Sequence, residues 1–193
     1  MTTDNTEFRL ETSRLSMRRL TLADAELMLA VWNDPAFIEH VGDRGIYTLE
    51  QAQDALTEGA LKLYEQYGYG PFRVALREND QAIGTCGLFR REGYNDPDIG
   101  WSILPAFCGN GYAFEAACAV QTYAWEEVGL TRLVAYVSAQ NKPSVGLARK
   151  LGLRHEGMTR LPGDDEDVCL YSMSHERQAL HVQDRSPDRA DRS

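Results

Sequence analysis

Leu104-Pro-Ala-Phe-Cys108-Gly109-Asn110-Gly111-Tyr112-Ala113 is the stretch on which the reading of this chain turns. It lies where an alternating strand pattern gives way to a helical one. Gly109 and Gly111, two apart, let the backbone turn sharply and expose its N–H groups. Those donors stand at the positive end of the following helix, an arrangement suited to an anion such as a pyrophosphate. Taken alone, the pattern also fits a plain tight strand–helix connection. It is not the dinucleotide fingerprint, because Phe114 stands where a third glycine would be, and no Walker lysine follows.

Upstream, Ile99, Trp101 and Ile103 alternate through Ile99–Leu104, which predicts a half-buried strand. Downstream, Ala113, Ala116, Ala117, Val120 and Ala124 share one face of a helix from about Gly111 to Glu127, and their small size predicts close packing on a sheet. Further out, Leu15–Leu20 reads as a strand. Capping boxes at Thr21-Leu-Ala-Asp24 and Thr48-Leu-Glu-Gln51 open two helices, the first expected to stop near Asn33-Asp34-Pro35. Phe72–Leu76 and Ala82–Arg90 form a predicted hairpin around Glu78–Gln81. Arg132–Val137 is a strand apolar enough for burial on both faces, and Pro143–Leu151 a helix that Gly152 ends. Leu153–Arg160 and Val168–Ser174 complete the set. The expected fold is therefore one mixed α/β domain over residues 8–175, with a sheet of about seven strands and about four helices. Residues 176–193 carry four basic and four acidic groups around a Ser-Pro and read as a disordered tail.

The 193 residues hold 20 Lys+Arg against 29 Asp+Glu, a net charge of −9 that argues against a nucleic-acid partner. Because the tail is neutral, the acidity belongs to the domain, where it suits a cationic amine. No apolar run approaches the roughly 18 residues of a membrane span, and Met1–Arg9 lacks the pattern of a signal peptide. Cys86, Cys108, Cys118 and Cys169 show no CxxC or CxxH spacing, which argues against a metal site and for reduced thiols in a cytoplasmic protein.

Beyond the turn, Thr12–Leu20, Ile83-Gly-Thr-Cys-Gly-Leu88, Asp98–Pro105, Asn141-Lys-Pro-Ser144 and Lys150–Leu153 recur at spacings that resemble the GNAT superfamily of acyl-CoA-dependent N-acetyltransferases. The likeness is greatest to the branch that acetylates ribosomal-protein N-termini, and it covers residues 8–175. It implies a sheet splayed beside Leu104, with the pantetheine arm of acetyl-CoA in the gap and its pyrophosphate on the amides of Cys108, Gly109, Asn110, Gly111, Tyr112 and Ala113. Cys108 stands where the superfamily commonly has Gln or Arg, so backbone contacts are expected there. The resemblance also implies direct attack of a neutral amine on the thioester in a ternary complex. A backbone N–H near Ile103 or Leu104 would hold the oxyanion, Ser144 would hydrogen-bond the sulfur, and Asn141 would hold the pantetheine. Asp98 would serve as base, directly or through water. Ser144 and Asn141 also read as ordinary residues of a helix start, and Asp98 as a structural carboxylate.

The acceptor half of the chain carries no interpretable motif. Trp32 and Trp125 read as core, Trp101 as core or acceptor wall, and none of the four histidines as catalytic. The acidic turn Gly163–Asp167 is a candidate border of the acceptor pocket. The acceptor is expected to be a protein N-terminal α-amine, with a small-molecule amine or antibiotic as one alternative and a non-catalytic acyl-CoA sensor as another. Either a monomer or a homodimer is compatible with the sequence.

Overall fold

The computed structural model describes residues 8–162 and 166–175. In chain order its regular elements are β1 Arg9–Glu11, β2 Leu15–Arg19, α1 Ala25–Trp32, α2 Pro35–Val41, α3 Leu49–Leu56, α4 Lys62–Tyr67, β3 Pro71–Leu76, β4 Ala82–Phe89, β5 Asp98–Ile103, α5 Tyr112–Tyr123, β6 Arg132–Val137, α6 Lys142–Lys150, β7 Arg154–Arg160 and β8 Asp167–Ser174. The strands form one eight-stranded sheet in the order β1-β2-β3-β4-β5-β6-β8-β7, antiparallel everywhere except between β5 and β6.

The mixed α/β sheet is as expected, with three refinements. β1 has three residues, too few to leave a periodic signature, yet it pairs Arg9–Glu11 with Ser16–Arg18 and extends the sheet edge. Asn33-Asp34-Pro35 does end α1, but the same residues start α2. Asp34 Oδ1 accepts from the amides of Ala36 and Phe37 at 3.0 and 3.2 Å, and Pro35 occupies the first turn, where its missing N–H costs nothing. The helix that the Thr48 capping box opens is α3 and α4 joined by a π-helical turn over Thr57–Leu61. Both capping boxes form, with Thr48 Oγ1 accepting from the Gln51 amide at 3.2 Å and Gln51 Oε1 accepting from the Thr48 amide at 3.0 Å.

Two apolar cores lie on the two faces of the sheet. On one face Ala116, Ala117 and Val120 of α5 and Ala148 of α6 meet Leu15, Met17, Phe72, Val74, Leu88, Ile99, Leu133 and Ala135. The alanines let the helix backbone approach closely, as their spacing predicted. On the other face α1, α3 and α4 pack Met28, Val31, Trp32, Leu56 and Tyr64 around Leu20. That face is fastened by Asp24, only 5% exposed, whose oxygens accept from Arg18 at 2.7 and 2.8 Å. Burial pushes the Asp24 carboxyl up, and the Arg18 guanidinium with the Thr21 amide more than reverses this, leaving it below its ordinary range.

Positioning of the site comes from one interruption. β5 and β6 share a single register pair, Asp98 with Val134, supported by the Val134 amide donating to Pro97 O at 3.1 Å. Beyond it no further register pair joins the two parallel strands, which leaves a gap in the ladder toward their C-terminal ends. β5 stays fully laddered to β4 from Phe89–Asp98 to Gly84–Ile103. Gly84 allows that approach, since a Cβ on it would stand 2.1 Å from Ser102 O.

Candidate active site

The quoted turn sits at the open end of the gap. Gly109 and Gly111 both have φ of +80°, the left-handed region in which glycine is unstrained. Nothing lies within 4 Å of a Cβ built on Gly109, and only Arg14 Nη2, at 3.5 Å, on Gly111. The glycines are needed for their conformation, and space is left above the turn. The side chain of Asn110 folds back to donate to Phe107 O and Cys108 O, both at 3.2 Å, which braces the loop. Gly111 then caps the twelve-residue α5, so its first N–H groups face this open surface. That cradle presents amides to an anion, and the edge of β5 beyond Asp98 is unladdered on its β6 side. Cys108 is exposed, donates weakly to Ile103 O at 3.4 Å, and has its thiol pushed up by desolvation and by Asp34. Neither influence favours the thiolate.

A second layer under the turn was missed at the level of sequence. Arg14 donates to Asn110 O at 3.0 Å and lies 4.6 Å above the Tyr112 ring. Glu115, one turn into α5, fixes Arg14: its Oε2 accepts from Arg14 Nε at 2.7 Å. Its Oε1 accepts from Thr12 Oγ1 at 2.6 Å, Ser13 Oγ at 3.0 Å and the Arg14 amide at 2.9 Å. Desolvation works against the charge of Glu115, and these donors outweigh it, holding the carboxyl at about 2. Nothing in local periodicity signals a contact between residues 101 to 103 apart.

Along β5, Ile99, Trp101 and Ile103 belong to the α5 face, so Asp98, Gly100 and Ser102 face the α1–α4 side. The Leu104 amide donates to Ile83 O at 2.8 Å. It is already engaged with β4, which corrects the expectation that it could serve as oxyanion donor. By the antiparallel alternation that this bond fixes, the amides of Trp101 and Ile103 point away from β4, into the gap.

Asp98, at the apex of the gap, is 3% exposed. Its Oδ2 accepts from Arg91 Nε at 3.1 Å, and its Oδ1 has no hydrogen-bond partner among the described residues. Burial pushes the carboxyl up, and Arg91 only partly offsets this. Tyr136 of β6 faces it; its phenol is pushed up to about 12, by burial first and by the Asp98 charge second, and Arg91 lies 5.3 Å above its ring. Arg44 lies 5.3 Å over Trp32 and Arg90 5.7 Å over Tyr67, neither with a carboxylate partner among the described residues.

Ser144 lies on the opposite face, in the first turn of α6. Its amide donates to Asn141 Oδ1 at 3.0 Å, so Asn141 is indeed the helix cap, with its side-chain NH2 still uncommitted among the described residues. The Ser144 hydroxyl meets Trp101 Nε1 at 3.2 Å. Asp98 and Ser144 are therefore not neighbours. They flank the gap from opposite faces of the sheet, separated by three residues of β5, about 10 Å of strand.

Other expectations concern residues away from the gap. Trp32 is core at 7% exposure, whereas Trp125 is half-buried and stacks on His175 at 5.2 Å. The acidic turn at 163–167 and the tail at 176–193 lie largely or wholly outside the described residues. Among the described residues no cluster of His, Cys, Asp or Glu is arranged to hold a metal, and no helix is long and apolar enough to cross a membrane.

Comparison with known proteins bears on the family and the fold. Residues 14–154 match the family model described as an acetyltransferase (GNAT) domain. An uncharacterized N-acetyltransferase, p20, from Bacillus licheniformis is 30% identical over 170 residues, covering 85% of this chain and 94% of that protein. The crystal structure of an acetyltransferase from Agrobacterium tumefaciens superposes with a TM-score of 0.73 at 28% identity, over 90% of this chain and 99% of that one. RimL, a ribosomal L7/L12 alpha-N-protein acetyltransferase solved with coenzyme A, shares the fold at a TM-score of 0.74 and 18% identity, over 86% and 98% of the two chains.

Proposed function

This chain belongs to the GNAT family of acetyltransferases, and from that premise we propose that it moves the acetyl group of acetyl-CoA onto a primary amine, with a peptide N-terminal α-amine as acceptor. The observation that carries the coenzyme half is the gap between β5 and β6, opening onto the left-handed glycine turn at the start of α5. Coenzyme A brings the thioester. The chain's own part is to hold the diphosphate on the amides of residues 108–113 and the pantetheine on the free amides of β5, with the Asn141 side chain beside it. The Ile103 or Trp101 amide then stands where the carbonyl oxygen gains charge. Ser144 donates to the sulfur, and Asp98, through its unpartnered Oδ1 and a chain of intervening waters, draws the proton from the amine.

The acceptor reading rests on charge. The side of the sheet from which the amine would arrive carries Arg44 and Arg90, without carboxylate partners among the described residues, beside the Arg91–Asp98 ion pair, and Arg44 is pushed down by desolvation and by the Arg91 charge. Such a wall repels a polyamine, despite the net −9 of the whole chain. A peptide α-amine has an ordinary pKa near 8, and so supplies a useful neutral fraction at pH 7 with little help from a base. Thermal melts with acetyl-CoA, NAD and ATP test the coenzyme half: only acetyl-CoA should raise the Tm, and no shift would refute it. Thiol release measured over N-terminal peptides, small amines and spermidine tests the acceptor half. Turnover of spermidine in preference to every peptide would overturn it.

A further inference from the structure

We infer that Trp101 is a positioning residue for acetyl transfer: its indole N–H fixes the Ser144 hydroxyl as an acceptor and so turns the serine proton toward the thioester sulfur. The inference rests on the reading above that Ser144 attends the sulfur. Its starting point is the 3.2 Å contact from Trp101 Nε1 to Ser144 Oγ, which joins β5 to α6 across the gap between residues 43 apart. An indole nitrogen is a donor only, so the direction of this bond is not negotiable: Trp101 gives and Ser144 receives. The serine keeps one proton, and that proton has no acceptor among the described residues.

A serine in the first turns of a helix ordinarily spends its hydroxyl on backbone, either capping an amide or donating three or four residues back. Neither happens here. The local amide-capping task is taken by Asn141, whose Oδ1 receives the Ser144 N–H at 3.0 Å, while Asn141 O accepts from the Val145 amide at 2.9 Å. With the cap supplied by one residue and the hydroxyl oxygen held by another, the remaining O–H is released from local duty. Trp101 is itself held from behind, being part of the core that α5 and α6 pack against the sheet. Its amide points into the gap while its ring reaches under the gap to α6, so one residue presents a donor to the arm of the coenzyme and orients the donor to its sulfur.

In the transfer step the amine nitrogen bonds to the acetyl carbon as the carbon–sulfur bond breaks. The bonding pair goes to sulfur, the amine proton leaves by Asp98 or water, and Ser144 retains its proton while sharing it with the sulfur. A hydrogen bond received at Oγ makes that shared proton a better donor, because it stabilises charge on the oxygen. A serine free to rotate would spend part of its time pointing elsewhere.

The test is a double-mutant cycle of Trp101→Phe, Ser144→Ala and the pair, read as kcat and as KM for acetyl-CoA, with the Tm and the coenzyme Kd measured on each. Ser144→Ala is expected to lower kcat by about 10- to 100-fold and Trp101→Phe by roughly 5- to 10-fold, both with KM changed less than about twofold. In the Ser144→Ala background Trp101→Phe should have no further effect on kcat. Equal losses from Trp101→Phe in both backgrounds would assign it a packing role and overturn the inference. A slow Ser144→Ala enzyme beside an undiminished Trp101→Phe enzyme would overturn it too, while leaving Ser144 in place. Full activity in Ser144→Ala would instead remove the underlying reading of the serine. Should Trp101→Phe fail to fold, 3-benzothienylalanine at position 101 keeps the shape of the indole and lacks only the N–H; the same drop in kcat is expected, and none would refute the inference.

Discussion

Replacing Glu115 by Gln tests the layer beneath the phosphate turn. The carboxyl is held at about 2 against an ordinary 4.5. At about 1.4 kcal/mol per pH unit, that difference corresponds to at most about 3.4 kcal/mol favouring the folded, charged form. The Arg14 side chain is 47% exposed and that of Glu115 16%, so solvent screening reduces the expected loss to about 2 kcal/mol. For a chain of this size that is a fall in Tm of roughly 4–8 °C at pH 7. Because the folded carboxyl is the more acidic, its contribution is present in full above about pH 4.5 and fades as the pH drops toward 2. The gap between wild type and Glu115→Gln should therefore hold nearly constant from pH 7 to about pH 4.5 and narrow in melts taken below that, already visibly at pH 3.5. Since Glu115 holds Arg14 and Arg14 holds Asn110 O, the rise in Tm produced by acetyl-CoA should also shrink. A variant melting within about 1 °C of wild type at pH 7, or a gap still undiminished at about pH 3.5, would refute this account of the network.

Other perturbations separate chemistry from packing. Asp98→Asn should cut kcat/KM at pH 7 by about 10- to 100-fold and abolish the acid limb of its pH profile. The same variant should melt no lower than wild type at pH 7, because burial disfavours the charged form of Asp98 in the fold; a Tm lower by 5 °C or more would make the residue structural. Gly111→Val should leave a folded protein, since the nearest atom to a Cβ there is 3.5 Å away on a flexible arginine, at a strain cost of about 1–2 kcal/mol. It should lose the acetyl-CoA-induced rise in Tm, and a retained rise would mean the turn is misassigned. Asp24→Ala should cost about 3 kcal/mol by stranding Arg18 on the α1 face; a loss under 1 kcal/mol in urea melts would show that the pair is not a fastening.

Legibility in the sequence followed the range of the interactions. The strand–turn–helix around Gly109 and Gly111, the two capping boxes and the alanine face of α5 are local devices whose partners lie within a few residues, and periodicity or spacing reveals them. β1 and α2 were hidden by length and by ambiguity: three residues carry no period, and Asp34-Pro35 serves both as a stop and as a start. The site's supporting contacts are of another kind. Glu115 with Thr12–Arg14, Arg91 with Asp98 in its buried setting, and Trp101 with Ser144 become neighbours only when the sheet brings them together. Trp101 was read as core or wall because its ring is apolar; its single polar atom decides its role. The Leu104 amide shows the converse, since a one-residue difference in strand register decides which amides face β4 and which face the gap.

The lone Asp98–Val134 pair gives the eight strands an unusual status. Strands β1 to β5 form one laddered unit, and β6 with β8 and β7 another. At the gap the backbone seam between them is a single rung, reinforced by α5 and α6 spanning one face. An extended arm bearing its own amide groups, laid into the gap, would lengthen that seam, as a strand shared by both units. On this view the protein's largest element is finished by its substrate. With the arm withdrawn, the seam would again be that one rung and the helices packed across it.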